Sequence, residues 1–251
     1  VTALLAELTR TAVARRAPDA VAVVPVGACE QHGPHLPLST DLMVAEHLAR
    51  DAADRLAGSV DVVVAPGVAV GYSPHHVPIG ATLTAGVGTL LAQLRDTCAG
   101  LAAAGFGRIF LLNGHGGNAE LIVVAAREAG QALRVPVGAG SYWVMAWDDL
   151  VAAGAQDHGR LPGHAGAFET SLVLALRPDL VDDPPHRPGA PFARNPAGYW
   201  GRYHVERPDA MAQGDGCSDD PSAGTADDGR RYLDAAAGAV AAALREFAGQ
   251  V

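Results

Sequence analysis

Cysteine, clustered positive charge and long hydrophobic runs are all scarce in these 251 residues, and each scarcity closes off a class of protein. The three cysteines, Cys29, Cys98 and Cys217, are few, odd in number and widely spaced, which excludes a disulfide framework. They fit free thiols in a reducing compartment, so a cytoplasmic location is expected. The formal charge is −9, and basic residues group no more densely than "ARR" near Arg15 and "GRR" near Arg230. Nucleic acid and anionic membranes both reward clustered Lys and Arg, so neither is an expected partner. No basic segment followed by an apolar run is read as a secretory signal. No uninterrupted apolar stretch reaches the roughly 18 residues that a membrane-spanning helix needs.

The composition that is present, with 18% charged residues, 30 Gly and 17 Pro, is that of an ordinary compact globular chain. Its length suits one sizeable α/β domain, taken here as residues 1–251 because no linker or composition break divides it. Leu4, Leu5, Leu8 and Val13 at helical spacing predict an amphipathic helix over 1–15. "AVAVVPVG" (20–27), a β-branched run ended by Gly, predicts a buried strand, and 60–66, 108–114 and 135–144 predict further strands. Helices are expected from Asp41 to Leu56, over 86–104, over 118–133, from His164 through "FETSLVLAL", and at the carboxyl-terminal end. The Pro-, Gly- and Asp-rich region 182–223 is expected to form loops with short elements. Strands alternating with helices predict a mostly parallel sheet covered on both faces, a three-layer α/β/α sandwich.

Ligands in such folds sit outside the carboxyl ends of the strands. The histidine-rich segments fall there: "GACEQHGPHLPLSTD" (27–41), "GYSPHH" (71–76) and "NGHGGN" (113–118). In the first, Glu30 and His32 alternate in an extended loop and Asp41 opens a helix nine residues later. Imidazole and carboxylate together suit Zn²⁺, Mn²⁺ or Fe²⁺, whereas Ca²⁺ prefers oxygen alone. Taken singly, the segment also reads as a solvated loop whose acids cap helices. "NGHGGN" offers His115 as its one metal-capable side chain; alone, that histidine also reads as structural. The glycines there could cradle a phosphate, but the loop lacks the Lys-Ser/Thr ending of a P-loop and the spacing of a dinucleotide fingerprint. In "GHAGAFETS" (163–171), His164 and Glu169 are placed to border a cleft, and an acid in so apolar a run must be exposed, paired or metal-bound. Together, two histidines and three acids make the donor set of a dinuclear site, with Asp41 as the natural bridge. Such a pair of ions acidifies a water and polarises a carbonyl.

The motifs E-Q-H-G-x-H-L-P-L-x-T-D and N-G-H-G-G-N, in that order, together with "GYSPHHVPIGATLT", "SYW" and "GHAGAFETSLVLALRPDLV", resemble the creatininase (creatinine amidohydrolase) family over most of the chain. The resemblance implies two divalent metal ions per subunit, amide-bond hydrolysis and a homohexamer. It implies that Glu30 and His115 hold one ion, His32 the other, and Asp41 both. Creatininase itself has an acid two residues after the histidine that corresponds to His115; here that position is Gly117, and Glu169 is the candidate replacement. Creatininase also carries an acid before the histidine corresponding to His164, and an aromatic a few residues earlier. Here Gly163 and Arg160 stand in those places, a poor fit for flat creatinine.

The expected substrate is therefore a small cyclic amide, a formamide or a short peptide, with His164 carrying a proton to the departing nitrogen. His35, His76 and Trp143 are expected to contact substrate, and His75 is a further candidate at the same rim. A catalytically silent small-molecule-binding protein on the same scaffold is the competing expectation, and nucleotide binding through the glycine loop ranks third.

Overall fold

The computed structural model describes residues 2–183 and 215–250. Among the described residues, five strands build a wholly parallel sheet: β1 (Ala3–Leu4), β2 (Val21–Val26), β3 (Val62–Val64), β4 (Arg108–Asn113) and β5 (Val137–Ser141). Their spatial order is β1-β3-β2-β4-β5. The α-helices are α1 (Arg10–Arg16), α2 (Thr40–Arg55), α3 (Val87–Ala103), α4 (Ala119–Leu133), α5 (Tyr142–Met145), α6 (Trp147–Ala152), α7 (Ala167–Leu176) and α8 (Ala226–Gly249).

Strand β2 lies at the centre and every one of its residues is buried. Because side chains alternate across a strand, Val21 and Val23, with Phe110 and Leu112 of β4, enter one apolar cluster; Ala22, Val24, Val26, Ile109 and Leu111 enter another. The first cluster is closed by Leu48 of α2, Leu172 of α7 and Val240 of α8. The second is closed by Leu90 and Leu94 of α3 and Ile122 of α4. Helices thus cover both faces, which is the sandwich expected from the alternating pattern. No helix among the described residues is long and apolar enough to cross a membrane.

Three expectations need correcting. The apolar spacing of residues 1–15 does not make one helix: Ala3 and Leu4 pair with Val63 and Val64 of β3, and the helix waits until Arg10, capped by Thr9. The open edge of the sheet takes those residues, since ladder hydrogen bonds outweigh a weak amphipathic preference. The run 135–144 leaves the sheet at Ser141 and turns into α5. The segment around His164 is a loop, and α7 begins three residues later at Ala167. Of the loop region 182–223, residues 184–214 lie outside the described residues; Pro221–Ala223 form a 3-10 turn.

The topology makes the site. After β2 the chain goes to β3, and after β4 it goes to β5, on the opposite side. Connections diverging from the carboxyl ends of two neighbouring strands leave a crevice between them. The first turn of α2 fills that crevice from behind and brings Asp41 into it. Two glycines permit the approach. A Cβ on Gly27 would lie 2.5 Å from the Leu42 backbone, and one on Gly114 would collide with the Asp41 carbonyl oxygen.

Gly114→Ala is accordingly expected to destabilise the protein by about 1–3 kcal/mol through forced displacement of the α2 amino terminus. Gly100→Ala, in the interior of α3 with open space around it, is expected to stabilise by roughly 0.5–1 kcal/mol. Urea unfolding of the two variants checks the contrast; equal midpoints would refute the close-packing argument.

Candidate metal centre

The donors reach the crevice on several pieces of backbone. Glu30 and His32 ride on the loop after β2, which is held by Glu30 N–H donating to the Leu38 carbonyl (3.0 Å) and Leu36 N–H to the His32 carbonyl (3.3 Å). Asp41 sits in the first turn of α2, where the helix amino terminus favours a carboxylate. His115 follows β4, braced by Asn113, whose side-chain oxygen accepts from His115 N–H and whose nitrogen donates to the His115 carbonyl (3.1 and 2.7 Å). Glu169 lies in the first turn of α7, and His164 in the loop before it.

These residues converge. The donor atoms of Glu30, Asp41 and His115 all lie within 4.8 Å of one another, and so do those of His32, Asp41 and Glu169. Asp41 belongs to both groups and uses different oxygens: Oδ2 is 3.1 Å from His115 Nδ1, and Oδ1 is 3.3 Å from His32 Nε2. His115 Nδ1 is 3.3 Å from Glu30 Oε1, and His32 Nε2 is 3.7 Å from Glu169 Oε2. All five residues are buried. A third group, Glu30, His32 and His164, meets the same distance limit.

Whether divalent ions suit these residues can be judged from atoms left without partners. Among the described residues, Glu30 Oε1 and Oε2, His32 Nε2 and Asp41 Oδ2 are buried and make no hydrogen bond. Buried polar atoms are normally paired, and leaving one bare costs about 1–3 kcal/mol. The outward nitrogens are by contrast engaged. His32 Nδ1 is 3.1 Å from the Glu30 carbonyl, and His115 Nε2 is 3.0 Å from the Tyr72 carbonyl and 3.2 Å from Ser73 Oγ. Donating to a carbonyl fixes the proton on the outer nitrogen and leaves the lone pair on the inner one, the arrangement metal-binding histidines adopt. The donor set fits two divalent cations.

Burial opposes every charge in this cluster, and pairing decides the outcome. Burial pushes the Glu30 carboxyl up, but His115 and His76 outweigh it and hold it well below the usual range. Asp41, also opposed by burial, is held down chiefly by His32. Burial pulls His32 down, yet Asp41 and Glu169 raise it to about 10; His115, likewise resisting burial, is raised well above its usual value by Glu30 and Asp41. Glu169 is pushed up to about 8, first by burial and then by Asp41 and Glu30, against the pull of His32. His164 goes the other way: burial, His32 and His76 hold it well below the usual imidazole value, so it is neutral near pH 7.

Several supporting residues carry no signal in sequence periodicity. Gln31 reaches between two rings, its Nε2 2.7 Å from His76 Nδ1 and 3.0 Å from His164 Nε2. Asp219 accepts from Arg160 N–H (3.1 Å) and from Ala167 N–H (2.8 Å), capping α7 from a distant segment, and Ser218 Oγ accepts from His164 N–H (2.8 Å). Of the expected substrate contacts, His76 points Nε2 at Glu30 Oε1 (3.2 Å), and His35 Nε2 pairs with Thr170 Oγ1 (2.8 Å). Trp143 packs in the apolar core cluster, edge to face with Tyr142. The large aromatic ring follows the fold's need for core volume. Tyr142 is the one whose hydroxyl feels Glu169 and Asp41, which after burial keep its pKa well above normal. At Gly117 a side chain would collide with the Tyr72 carbonyl, so the loop that holds His115 excludes an acid there.

The Creatininase family model, creatinine amidohydrolase, matches residues 6–244. A creatinine amidohydrolase of Pseudomonas putida is 37% identical over 182 residues, covering 65% of this chain and 67% of its own. A mycofactocin precursor peptide peptidase of Mycolicibacterium smegmatis is 37% identical over 162 residues, 63% of this chain; the match spans 59% of that relative's length. A solved structure of creatininase with Mn superposes with a TM-score of 0.82 at 30% identity, covering 98% of each chain.

The electrostatics make ion uptake a proton-releasing event. Without metal, His32, His115 and Glu169 all hold protons at pH 7, since their pKa values are raised, and each must give one up to bind through a lone pair. Titration with Zn²⁺ is expected to release about three protons and to tighten as pH rises from about 6 to 8. Calorimetry in buffers of different ionisation enthalpy checks this; pH-independent affinity without proton release would contradict it.

Proposed function

The chain belongs to the creatininase family, and from that premise we propose that it is a metal-dependent amidohydrolase, hydrolysing a C–N amide bond with two divalent ions per subunit held by Glu30, His32, Asp41, His115 and Glu169. The observation that carries this reading is the set of buried, unpartnered donor atoms gathered around Asp41. Mixed imidazole and carboxylate donors favour zinc, manganese or iron. When bound, such a pair of ions supplies an acidified water and polarises the amide carbonyl.

His164 carries the proton in this account. Its Nε2 lies 2.8 Å from the Gln31 carbonyl and 3.0 Å from the Gln31 side-chain nitrogen; in the tautomer that donates to the carbonyl, Nδ1 keeps its lone pair, facing Glu30 Oε1 at 3.7 Å. A neutral imidazole so placed can take the proton of an attacking water and deliver it to the departing nitrogen. Packing against the His76 ring, with centroids 4.1 Å apart, holds its plane. Ser218 and Asp219 fix the backbone on either side of it.

Gly163 and Arg160, standing where creatininase has an acid and an aromatic, argue for a cyclic amide other than creatinine, a formamide or a short peptide. The two curated relatives named above act on creatinine and on a precursor peptide by their names, which spans the same range. The free cysteines suit a reducing compartment, and the reading includes a cytoplasmic homo-oligomer.

A screen of lactams, formamides and short peptides with the metal-loaded protein is expected to find one class turned over. His164→Ala is expected to lower that rate by about 10²–10⁴-fold with ion content unchanged. Turnover that survives the substitution would remove His164 from the chemistry. Tight ligand binding by a loaded protein that hydrolyses nothing would favour a silent binding module.

A further inference from the structure

The third group of donor atoms, Glu30, His32 and His164, also gathers within 4.8 Å, and the mechanism above does not use it as a ligand set. We propose that the ion held by His32 has two resting positions, one completed by Asp41 and Glu169 and the other by Glu30 and His164. The proposal rests on the amidohydrolase reading and extends it: His164 serves as proton carrier or as ligand, and the two roles exclude each other.

Three features of the geometry support a real alternative site. Glu30 and His32 have no measurable exposure and His164 only 8%, so water competes poorly for a cation there. His164 Nδ1 stands 3.7 Å from Glu30 Oε1, close to the roughly 3.4 Å that separates two donors of a tetrahedral zinc with bonds near 2.1 Å. The rings of His32 and His164 are 4.4 Å apart, centroid to centroid. With Nε2 engaged by the Gln31 carbonyl and side-chain nitrogen, Nδ1 is the ring nitrogen His164 has to offer.

The donors also show why the positions alternate rather than adding a third ion. His32 Nε2 has one lone pair, so it serves one ion at a time. Glu30 has two buried oxygens without hydrogen-bond partners, and its Oε1 faces both His115 Nδ1 (3.3 Å) and His164 Nδ1 (3.7 Å), so this carboxylate lies between the two ions' positions. On the opposite side, the Glu169 oxygen that faces His32 also accepts the Ala165 N–H at 2.5 Å. That competing hydrogen bond weakens the hold of Glu169 and makes exchange with His164 feasible. An ion resting on His164 occupies the lone pair needed for proton transfer, so this position is an inactive one.

Ion content per chain, measured by native mass spectrometry after loading with Zn²⁺ and desalting, tests the proposal. Wild type, Glu169→Gln and His164→Gln are each expected to retain about two ions, and the double variant about one. In the Co²⁺-loaded protein, a hyperfine-shifted exchangeable ring N–H signal from a third histidine, beside those of His32 and His115, is expected to be weak in wild type and strong in Glu169→Gln. A Glu169→Gln chain holding a single ion, or a double variant holding two, would overturn the alternative position while leaving the amidohydrolase reading intact. Fewer than two ions on the wild-type chain would overturn that reading, and the proposal with it.

Discussion

A carboxylate with only 4% of its surface exposed, at the first turn of α2, is the constraint around which the structure is arranged. Asp41 cannot stay ionised in that place without compensation, because removing an isolated charge from water costs far more than a protein's whole stability. The helix amino terminus supplies part of the compensation and the two histidines that face its oxygens supply more. Those histidines are in turn drawn toward Glu30 and Glu169. The result is a buried cluster in which each member is tolerable only because of the others. Cations satisfy such a cluster better than protons do, since one divalent ion can meet several lone pairs at once.

The sheet delivers this cluster by its connectivity. Divergence of the chain between β2 and β4 places the Glu30–His32 loop beside the His115 loop. The glycines at 27 and 114 let α2 press between them. The fold's apolar layers keep the loops in register by burying the strands that precede them. The loop before α7 is held separately, from the far end of the chain, by Ser218 and Asp219.

Much of this was legible in the sequence because it rests on local patterns. The fully apolar run of β2, the acid at the start of α2 and the glycine-flanked His115 each announce themselves by type and spacing. What escaped depends on contacts between distant segments. Leu4 joins the sheet because β3 offers an open edge, something no helical periodicity reveals. His164 precedes its helix instead of starting it, because the cap of α7 comes from Asp219, 52 residues beyond Ala167. Gln31 looks like a polar loop residue, yet it spans two imidazoles that lie 45 and 133 residues away in sequence.

The central claim is that one buried aspartate is shared by two divalent ions. Anomalous-difference maps from a crystal of the Zn²⁺-loaded protein, recorded on either side of the zinc edge, test it most directly. The account predicts two peaks about 3.5–4 Å apart, flanking Asp41, one beside Glu30 and His115 and the other beside His32. A single peak, or peaks remote from Asp41, would contradict it.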